Sequence, residues 1–170
     1  MSGNAQIVAE LVAELAALRA EVRRLSDIVE ITQLVSQYGP NVDSGSAEAT
    51  ATMWTEDGVF AVVGGESTFS MKGRADIVAM VDGGHQTLIR NGAAHVLTTP
   101  HIVVDGDRAT GRSHALNIRW DPAADRFWVA RVSANQWIFA RTPAGWKIVE
   151  RINCNLDGSE QARAALAPTT

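Results

Sequence analysis

Tyr38, Asp43 and His95 are the residues of this chain whose types and spacing favour acid–base chemistry. Tyr38, the only tyrosine, lies five positions before Asp43 near the end of a predicted helix, and His95 follows in a predicted strand. A carboxylate holds an imidazole in one tautomer and raises its basicity, while a phenol donates a hydrogen bond to an oxygen that gains charge. These three roles suit the removal of a proton from carbon. The residues alone leave an alternative open, in which Asp43 caps a loop, His95 is a structural strand residue and Tyr38 belongs to the core.

Length and composition predict one globular domain. The chain has 170 residues, of which 46% are hydrophobic and 20% charged, and its net charge is −4. Such a chain buries a single core, and its charge gives nucleic acid no positive field to follow. Cys154 is the only cysteine, and Glu10 and Glu14 interrupt the apolar N-terminal residues. We therefore predict a cytoplasmic protein without nucleic-acid or membrane partners.

Apolar residues recur every three or four positions from Ile7 to Leu34, with charged residues between them. This pattern predicts one long amphipathic helix, or two helices joined near Ser26. We assign residues 1–24 to a helical arm that packs on another subunit or across the sheet of its own domain, with a plain surface helix as an equal alternative.

The helix that carries Tyr38 is expected to end there. Gly39 is flexible, and Pro40 disfavours helical geometry in the residue before it. Asp43 would then lie just past the break, and the five-residue spacing alone does not bring it to the same face as Tyr38.

The rest of the chain predicts a short helix, a hairpin, a second helix and then an antiparallel meander of long strands. The predicted ranges are 47–54, 59–63 with 67–71 across a Gly64-Gly65 turn, 73–81, and then 94–104, 107–120, 126–141 and 145–155.

The Asp105-Gly106 pair is the strongest hairpin signal in the sequence, because both central residues of a two-residue primed turn need positive φ. This turn predicts a register in which His95 lies opposite Leu116 and His114 shares the concave face.

Several kinds of site are not indicated by the sequence. The four histidines, His85, His95, His101 and His114, have neither the helical pairing nor the cysteine partner typical of a metal site, so no metal is predicted. The glycine pairs do not form a phosphate loop, and no serine stands in a nucleophile elbow.

The order of elements resembles the cone-shaped α+β fold of the nuclear transport factor 2-like superfamily, in which helices and a curved antiparallel sheet enclose an apolar pocket. Within it, the chain is most similar to the SnoaL-like family, which includes bile acid 7α-dehydratase, hexachlorocyclohexane dehydrochlorinase and scytalone dehydratase. The similarity covers most of residues 25–157, a SnoaL-like domain followed by a tail over 158–170. Its matching segments are EITQLVSQYGPNVDSG, ATMWTEDGVF, AHVLTTPHIVVDGDRATGR and GWKIVERINCNLDG.

The resemblance implies that Asp43 and His95 form the catalytic dyad of the family and that Tyr38 lies beside them. Those relatives eliminate water or chloride after the histidine removes a proton from carbon. Asn155 stands where bile acid 7α-dehydratase carries an arginine, so a leaving-group or carboxylate contact is expected to differ. His114 loosely matches a second histidine of scytalone dehydratase.

The predicted substrate-binding residues are His114, Arg131, Asn155 and Trp54. Arg131 lies between apolar residues of a central strand, and its alternative is an exposed strand arginine.

With these residues, the family resemblance implies a cofactor-independent lyase that dehydrates a hydrophobic, hydroxylated ring compound such as a steroid, terpenoid or polyketide. His95 is the predicted base, oriented by Asp43, and Tyr38 polarises an oxygen. An isomerase or polyketide cyclase with the same dyad, and a non-catalytic binding domain, remain alternatives. The resemblance also implies a homo-oligomer, with a trimer favoured.

Overall fold

The computed structural model describes residues 2–64 and 68–167, which form helices packed on one curved sheet. The helices are α1 (Ser2–Ser36), α2 (Tyr38–Asp43), α3 (Ala47–Ala51), α4 (Arg74–Asp82), α5 (Gly84–Arg90) and α6 (Glu160–Ala164). The strands are β1 (Trp54–Val63), β2 (Phe69–Lys72), β3 (Ala93–Leu97), β4 (His101–Asp105), β5 (Arg108–Asp121), β6 (Arg126–Thr142) and β7 (Gly145–Asn155). The predicted α+β fold is confirmed. In the described part of the chain, no helix combines the length and apolarity that a bilayer crossing needs.

The sheet follows the order β2-β1-β7-β6-β5-β3, with β4 paired to β5 beyond the end of β3. The predicted antiparallel meander holds for β5, β6 and β7. Strand β1 instead runs parallel to β7. This pairing places the β1–β2 hairpin next to the last strand of the sheet. Strands β1 and β2 form the predicted antiparallel hairpin, with Val62 opposite Phe69. Its predicted Gly64-Gly65 turn lies partly outside the described residues.

The core lies between the concave face of the sheet and the helices α1 to α4. Alternate residues of the strands point to this face, where large side chains exclude water. Its fully buried members include Ile31, Val35, Trp54, Ile77, Trp137, Phe139 and Ile148.

Helix α1 is continuous through Ser26, so one of the two predicted arrangements is confirmed. Residues 3–26 are exposed, whereas Asp27 and Ile31 are buried against the domain. Both carboxylate oxygens of Asp27 accept hydrogen bonds from Arg141 of β6, at 2.8 and 2.6 Å. The Trp146 indole also donates to Asp27, at 3.1 Å. These contacts attach the second half of α1 to the sheet.

The segment after α1 differs from the prediction, because Tyr38 begins a new helix instead of ending the first. The short helix α2 carries both Tyr38 and Asp43. Pro40 lies in its first turn, where a backbone N–H has no partner within the helix and its loss costs little. The Gly39-Pro40 pair therefore belongs to the first turn of α2, and Asp43 is the last residue of this helix.

The predicted hairpin register is wrong at two points. Asp105 pairs with Arg108, so the turn is Gly106-Asp107, where Gly106 has a positive φ of 58°. This first shift moves the pairing by two residues and keeps every side chain on its predicted face.

The second shift changes the faces. The predicted strand 94–104 is interrupted at residues 98–100, where one extra residue bulges between β3 and β4. His95 consequently lies opposite Asn117 instead of Leu116, and His114 is exposed on the convex face. Side chains alternate between the two faces of a strand, so a single inserted residue is enough to move His114 from the concave to the convex face.

The predicted C-terminal tail contains α6, which packs on the convex side of the sheet. Ala162 and Ala165 form a small buried cluster with Ala134 and Cys154. Residues 168–170 of this tail lie outside the described residues.

Candidate active site

Asp43 and His95 meet where the end of α2 touches β3. Asp43 Oδ1 lies 2.7 Å from His95 Nδ1, and Asp43 Oδ2 accepts the backbone N–H of His95, also at 2.7 Å. An ionised carboxylate only accepts hydrogen bonds, so Nδ1 of His95 is the donor and Nε2 carries the free lone pair. The His95 side chain is 11% exposed and that of Asp43 is 25% exposed. The carboxylate therefore fixes the backbone, the ring orientation and the tautomer of His95.

Gly39 allows α2 to approach β3 this closely. A Cβ atom at Gly39 would collide with the carbonyl oxygen of His95, which belongs to the backbone and has little freedom to move. The Gly39-Pro40 pair thus has a positional role, since Gly39 permits the contact and Pro40 starts the helix that ends at Asp43.

Tyr38 is buried in a cluster of rings behind the dyad. Its ring meets His95 edge-on, with centroids 6.3 Å apart, and it contacts Trp54 and Phe60 in the same manner. Edge-to-face packing of this kind fixes ring orientation and contributes about 0.5–1.5 kcal/mol per pair. Tyr38 therefore supports the ring of His95 and also lines the cavity beside it.

Arg151 is a fully buried cation on the other side of Tyr38. Its guanidinium carbon lies 4.0 Å from the Tyr38 ring centroid, 4.7 Å from that of Trp137 and 4.8 Å from that of Phe60. Its Nε–H donates to Asn135 Oδ1 at 2.8 Å, and no carboxylate among the described residues forms an ion pair with it. Burial lowers the pKa of the Arg151 guanidinium. Ring faces thus supply much of its electrostatic compensation.

A cavity of about 300 Å³ opens next to His95 and Tyr38. Apolar side chains from four elements form much of its wall. These are Phe60, Val62, Phe69, Met80 and Leu88. A mostly apolar cavity with a few directed polar groups is typical of a small-molecule site.

Arg119 and Arg131 bring positive charge to this cavity. Arg131 donates to Ser133 Oγ at 2.9 Å and to Asn153 Oδ1 at 2.7 Å, and burial lowers its pKa. Neither arginine forms an ion pair with a carboxylate among the described residues. The cavity therefore offers uncompensated cations to an oxygen-bearing ligand.

His85 is a cavity residue to which the sequence analysis gave no functional role. It lies on α5, its ring centroid is 4.9 Å from that of His95, and its buried Nε2 has no hydrogen-bond partner. Burial and the neighbouring His95 lower the pKa of His85, while Asp43 and the Val42 carbonyl oppose this shift. His85 is thus a neutral imidazole near pH 7, and its unpartnered nitrogen faces a ligand site.

Asp43, His85 and His95 also place candidate metal-ligand atoms within 4.8 Å of one another. The sequence spacing did not indicate this cluster, because the fold collects its members from three elements. Two ligands that share an ion at about 2.1 Å are about 3 Å or more apart. The 2.7 Å contact between Asp43 Oδ1 and His95 Nδ1 is instead a hydrogen-bond distance. This geometry fits a dyad better than a metal centre.

The structure gathers some of the predicted site residues and separates others. Tyr38, His95 and Arg131 line the cavity, and Asp43 is bonded to His95. Trp54 is fully buried behind Tyr38 and does not line the cavity. Asn155, at the end of β7, and His114, on the convex face, do not line it either.

The residues missed by the sequence analysis are His85, Arg119 and Arg151. A helix over GHQTLIR would have placed His85 and Leu88 on one face, one turn apart, so periodicity carried some signal. The burial of Arg151 had no comparable signal, since it depends on three rings from separate elements.

Comparison with known proteins identifies the family. A family model described as a SnoaL-like domain matches residues 23–152. The chain belongs to the SnoaL-like domain family. No curated protein matches this SnoaL-like chain in sequence.

Solved structures agree with this membership. The SnoaL-like chain is 47% identical to a nuclear transport factor 2-like protein with a cystatin-like fold from Novosphingobium aromaticivorans, with a TM-score of 0.85 over 91% of this chain and 97% of that one. A candidate scytalone dehydratase from the same organism is 20% identical, with a TM-score of 0.65 over 77% and 85% of the two chains. The beta subunit of a candidate aromatic-ring-hydroxylating dioxygenase, also from that organism, is 13% identical, with a TM-score of 0.63 over 79% and 91%. The last two likenesses establish the fold alone.

Proposed function

We propose that the protein is a lyase that dehydrates a hydrophobic, hydroxylated ring compound, with His95 as the base. The observation that carries this proposal is the 2.7 Å contact between Asp43 Oδ1 and His95 Nδ1 beside an apolar cavity. It leaves a partly buried imidazole with one basic nitrogen, oriented by a carboxylate. General-base catalysis by such a group contributes about 10²- to 10⁴-fold.

In the proposed reaction, His95 Nε2 removes a proton from a carbon next to a carbonyl group. The electrons of the broken C–H bond form the new carbon–carbon double bond, and the C–O bond to the hydroxyl group breaks. The imidazolium of His95 returns the proton to the departing oxygen, so water leaves. Asp43 stays ionised and stabilises the imidazolium while it exists.

Tyr38 and Arg131 support the oxygen that gains charge during proton removal. The Tyr38 phenol is the proposed hydrogen-bond donor to the substrate carbonyl. Arg131 adds a cation that no carboxylate among the described residues neutralises. In this proposal, Tyr38 and Arg131 stabilise the charge that develops on an enolate oxygen, within a cavity whose other lining residues are mostly apolar.

His85, rather than His114, is the proposed second imidazole. Its Nε2 is buried without a partner, and its lowered pKa keeps it neutral. A neutral Nε2 accepts a hydrogen bond from the substrate hydroxyl. His85 is thereby a substrate-positioning residue.

The volume of the cavity informs the substrate class. About 300 Å³ is at the lower end of the range for small-molecule sites. This size favours the smaller members of the proposed class, such as one- or two-ring polyketides and terpenoids, over a four-ring steroid. The site needs no cofactor for this chemistry, and the single buried cysteine suits the proposed cytoplasmic location.

The test follows water elimination across a panel of hydroxylated ring ketones by alkene absorbance. We expect His95→Gln and Asp43→Asn to lower kcat by about 10²- to 10⁴-fold. His114→Gln, which changes an exposed histidine on the opposite face, is the matched control and should keep wild-type turnover.

Two other outcomes distinguish the alternatives. Exchange of substrate hydrogen for deuterium without alkene formation would favour an isomerase or cyclase with the same dyad. Saturable ligand binding without exchange or turnover would favour a non-catalytic binding domain and contradict the lyase proposal.

A further inference from the structure

The exposed half of α1 carries a heptad repeat. Apolar residues alternate in steps of three and four from Val8 to Val29. In heptad notation the a positions are Val8, Leu15, Val22 and Val29, and the d positions are Leu11, Leu18 and Leu25. All seven side chains are between 47% and 62% exposed. A continuous apolar seam of this length on one helix is typical of a coiled coil and is not explained by the fold of one chain.

The seam faces away from the domain to which α1 is attached. Asp27 and Ile31 are buried against the sheet, whereas Val29, two residues from each, is 60% exposed. Two residues turn a helix by about 200°, so the seam and the attached face are on opposite sides of α1. The domain therefore cannot cover the seam, and a partner on the seam would not collide with the domain.

We propose that the seam binds the same seam of a second copy of this chain, as a parallel two-stranded coiled coil over residues 8–29. Valine predominates at the a positions and leucine occupies the d positions, which is the pattern that favours two strands over three. The trimer implied by family resemblance would instead need a different contact surface. This inference does not depend on the proposed lyase activity.

Charge complementarity selects the parallel orientation. In a parallel pair each g position lies near the e position five residues later on the partner, which brings Glu14 to Arg19 and Ile7 to Val12. In an antiparallel pair, g meets g and e meets e. The register that pairs Val22 with Leu18 brings Arg19 and Glu21 each towards its own copy, and the register that pairs Leu15 with Leu18 brings Glu14 towards Glu21. Like charges would then meet in either register.

The first test measures assembly mass by light scattering. We expect the wild type to have twice the 18.2 kDa mass of the chain, and Leu18→Glu at a d position to halve the mass. Ala13→Glu adds the same charge at an exposed f position and should leave the dimer intact. Circular dichroism of both variants verifies that the domain remains folded.

The second test determines orientation by disulfide cross-linking in a Cys154→Ser background. Leu11→Cys places the two thiols side by side in a parallel pair, but about 20 Å apart in an antiparallel one. We expect a cross-linked dimer for Leu11→Cys and none for Ala13→Cys. A monomeric or trimeric wild type, equal effects of Leu18→Glu and Ala13→Glu, or the absence of the Leu11→Cys cross-link would each overturn the proposal.

Discussion

At the scale of single residues, the candidate site depends on one carboxylate with two acceptor roles. Asp43 bonds both the backbone and the ring of His95. A side chain that fixes the strand as well as the imidazole ties the geometry of the candidate site to local folding. Substitution of Asp43 is therefore expected to affect the tautomer and the position of His95 together, whereas substitution of His95 removes only the base.

His85 gives a pH-dependent prediction at the same scale. Its pKa in the folded protein lies below the ordinary value of 6.5, so the unfolded chain binds more protons as the pH falls below that value. The stability associated with neutral His85 is present above pH 6.5 and is lost as the pH falls towards the folded-state pKa. We expect urea denaturation to show a smaller loss of stability between pH 7.5 and 5 for His85→Gln than for the wild type. Equal losses would contradict a buried neutral His85.

At the scale of elements, the contact between α2 and β3 decides whether the dyad forms. Gly39→Ala places a methyl group against the His95 carbonyl, so α2 must move away and Asp43 with it. Displacement of a catalytic group by about 1 Å costs on the order of 10²-fold in rate, and we expect this loss in kcat. Gly3→Ala on α1 is the control, because its Cβ would meet no atom within 4 Å and the residue does not line the cavity. Equal activity of the two variants would contradict the close-contact role of Gly39.

The attachment of α1 to the sheet depends on Asp27 and Arg141. Arg141 lowers the pKa of Asp27, so the pair stabilises the fold above the ordinary pKa of 3.8 and the contribution is lost as the pH falls below it. Asp27→Asn leaves Arg141 with the exposed Asp107 as its carboxylate partner. We expect a loss of about 2 kcal/mol in the free energy of unfolding at pH 7, measured in urea, and a smaller difference from the wild type near pH 3. Asp105→Asn, in an exposed strand end, is the control and should stay within about 0.5 kcal/mol of the wild type.

At the scale of the whole molecule, the proposed coiled coil links stability to concentration. A dimer that forms only from folded chains becomes more stable by mass action as the protein concentration rises. We expect the Tm of the wild type to rise over a hundredfold concentration range, and that of Leu18→Glu to stay constant. Scanning calorimetry of both proteins measures this difference, and a concentration-independent wild-type Tm would argue against the dimer.

The paired arms would also place two cavities in one assembly, each on its own domain. The attached face of α1 and its seam point in opposite directions, so the domains lie on the outer sides of the proposed coiled coil. Each cavity is bounded by residues of one chain. The proposed assembly therefore adds stability without completing the candidate site.

The sequence by itself determined the α+β class and the long first helix, because these features depend on periodicity and on local residue order, which one chain displays directly. Residue types made Asp43 and His95 candidates, and the family resemblance implied that these distant residues form a pair. The tertiary structure alone decided which side chains face the cavity. One extra residue between β3 and β4 moved His114 outside, and α5 brought His85 inside. Both outcomes depend on strand register and on packing between distant segments, because a single inserted residue reverses every later side chain while barely changing the sequence pattern.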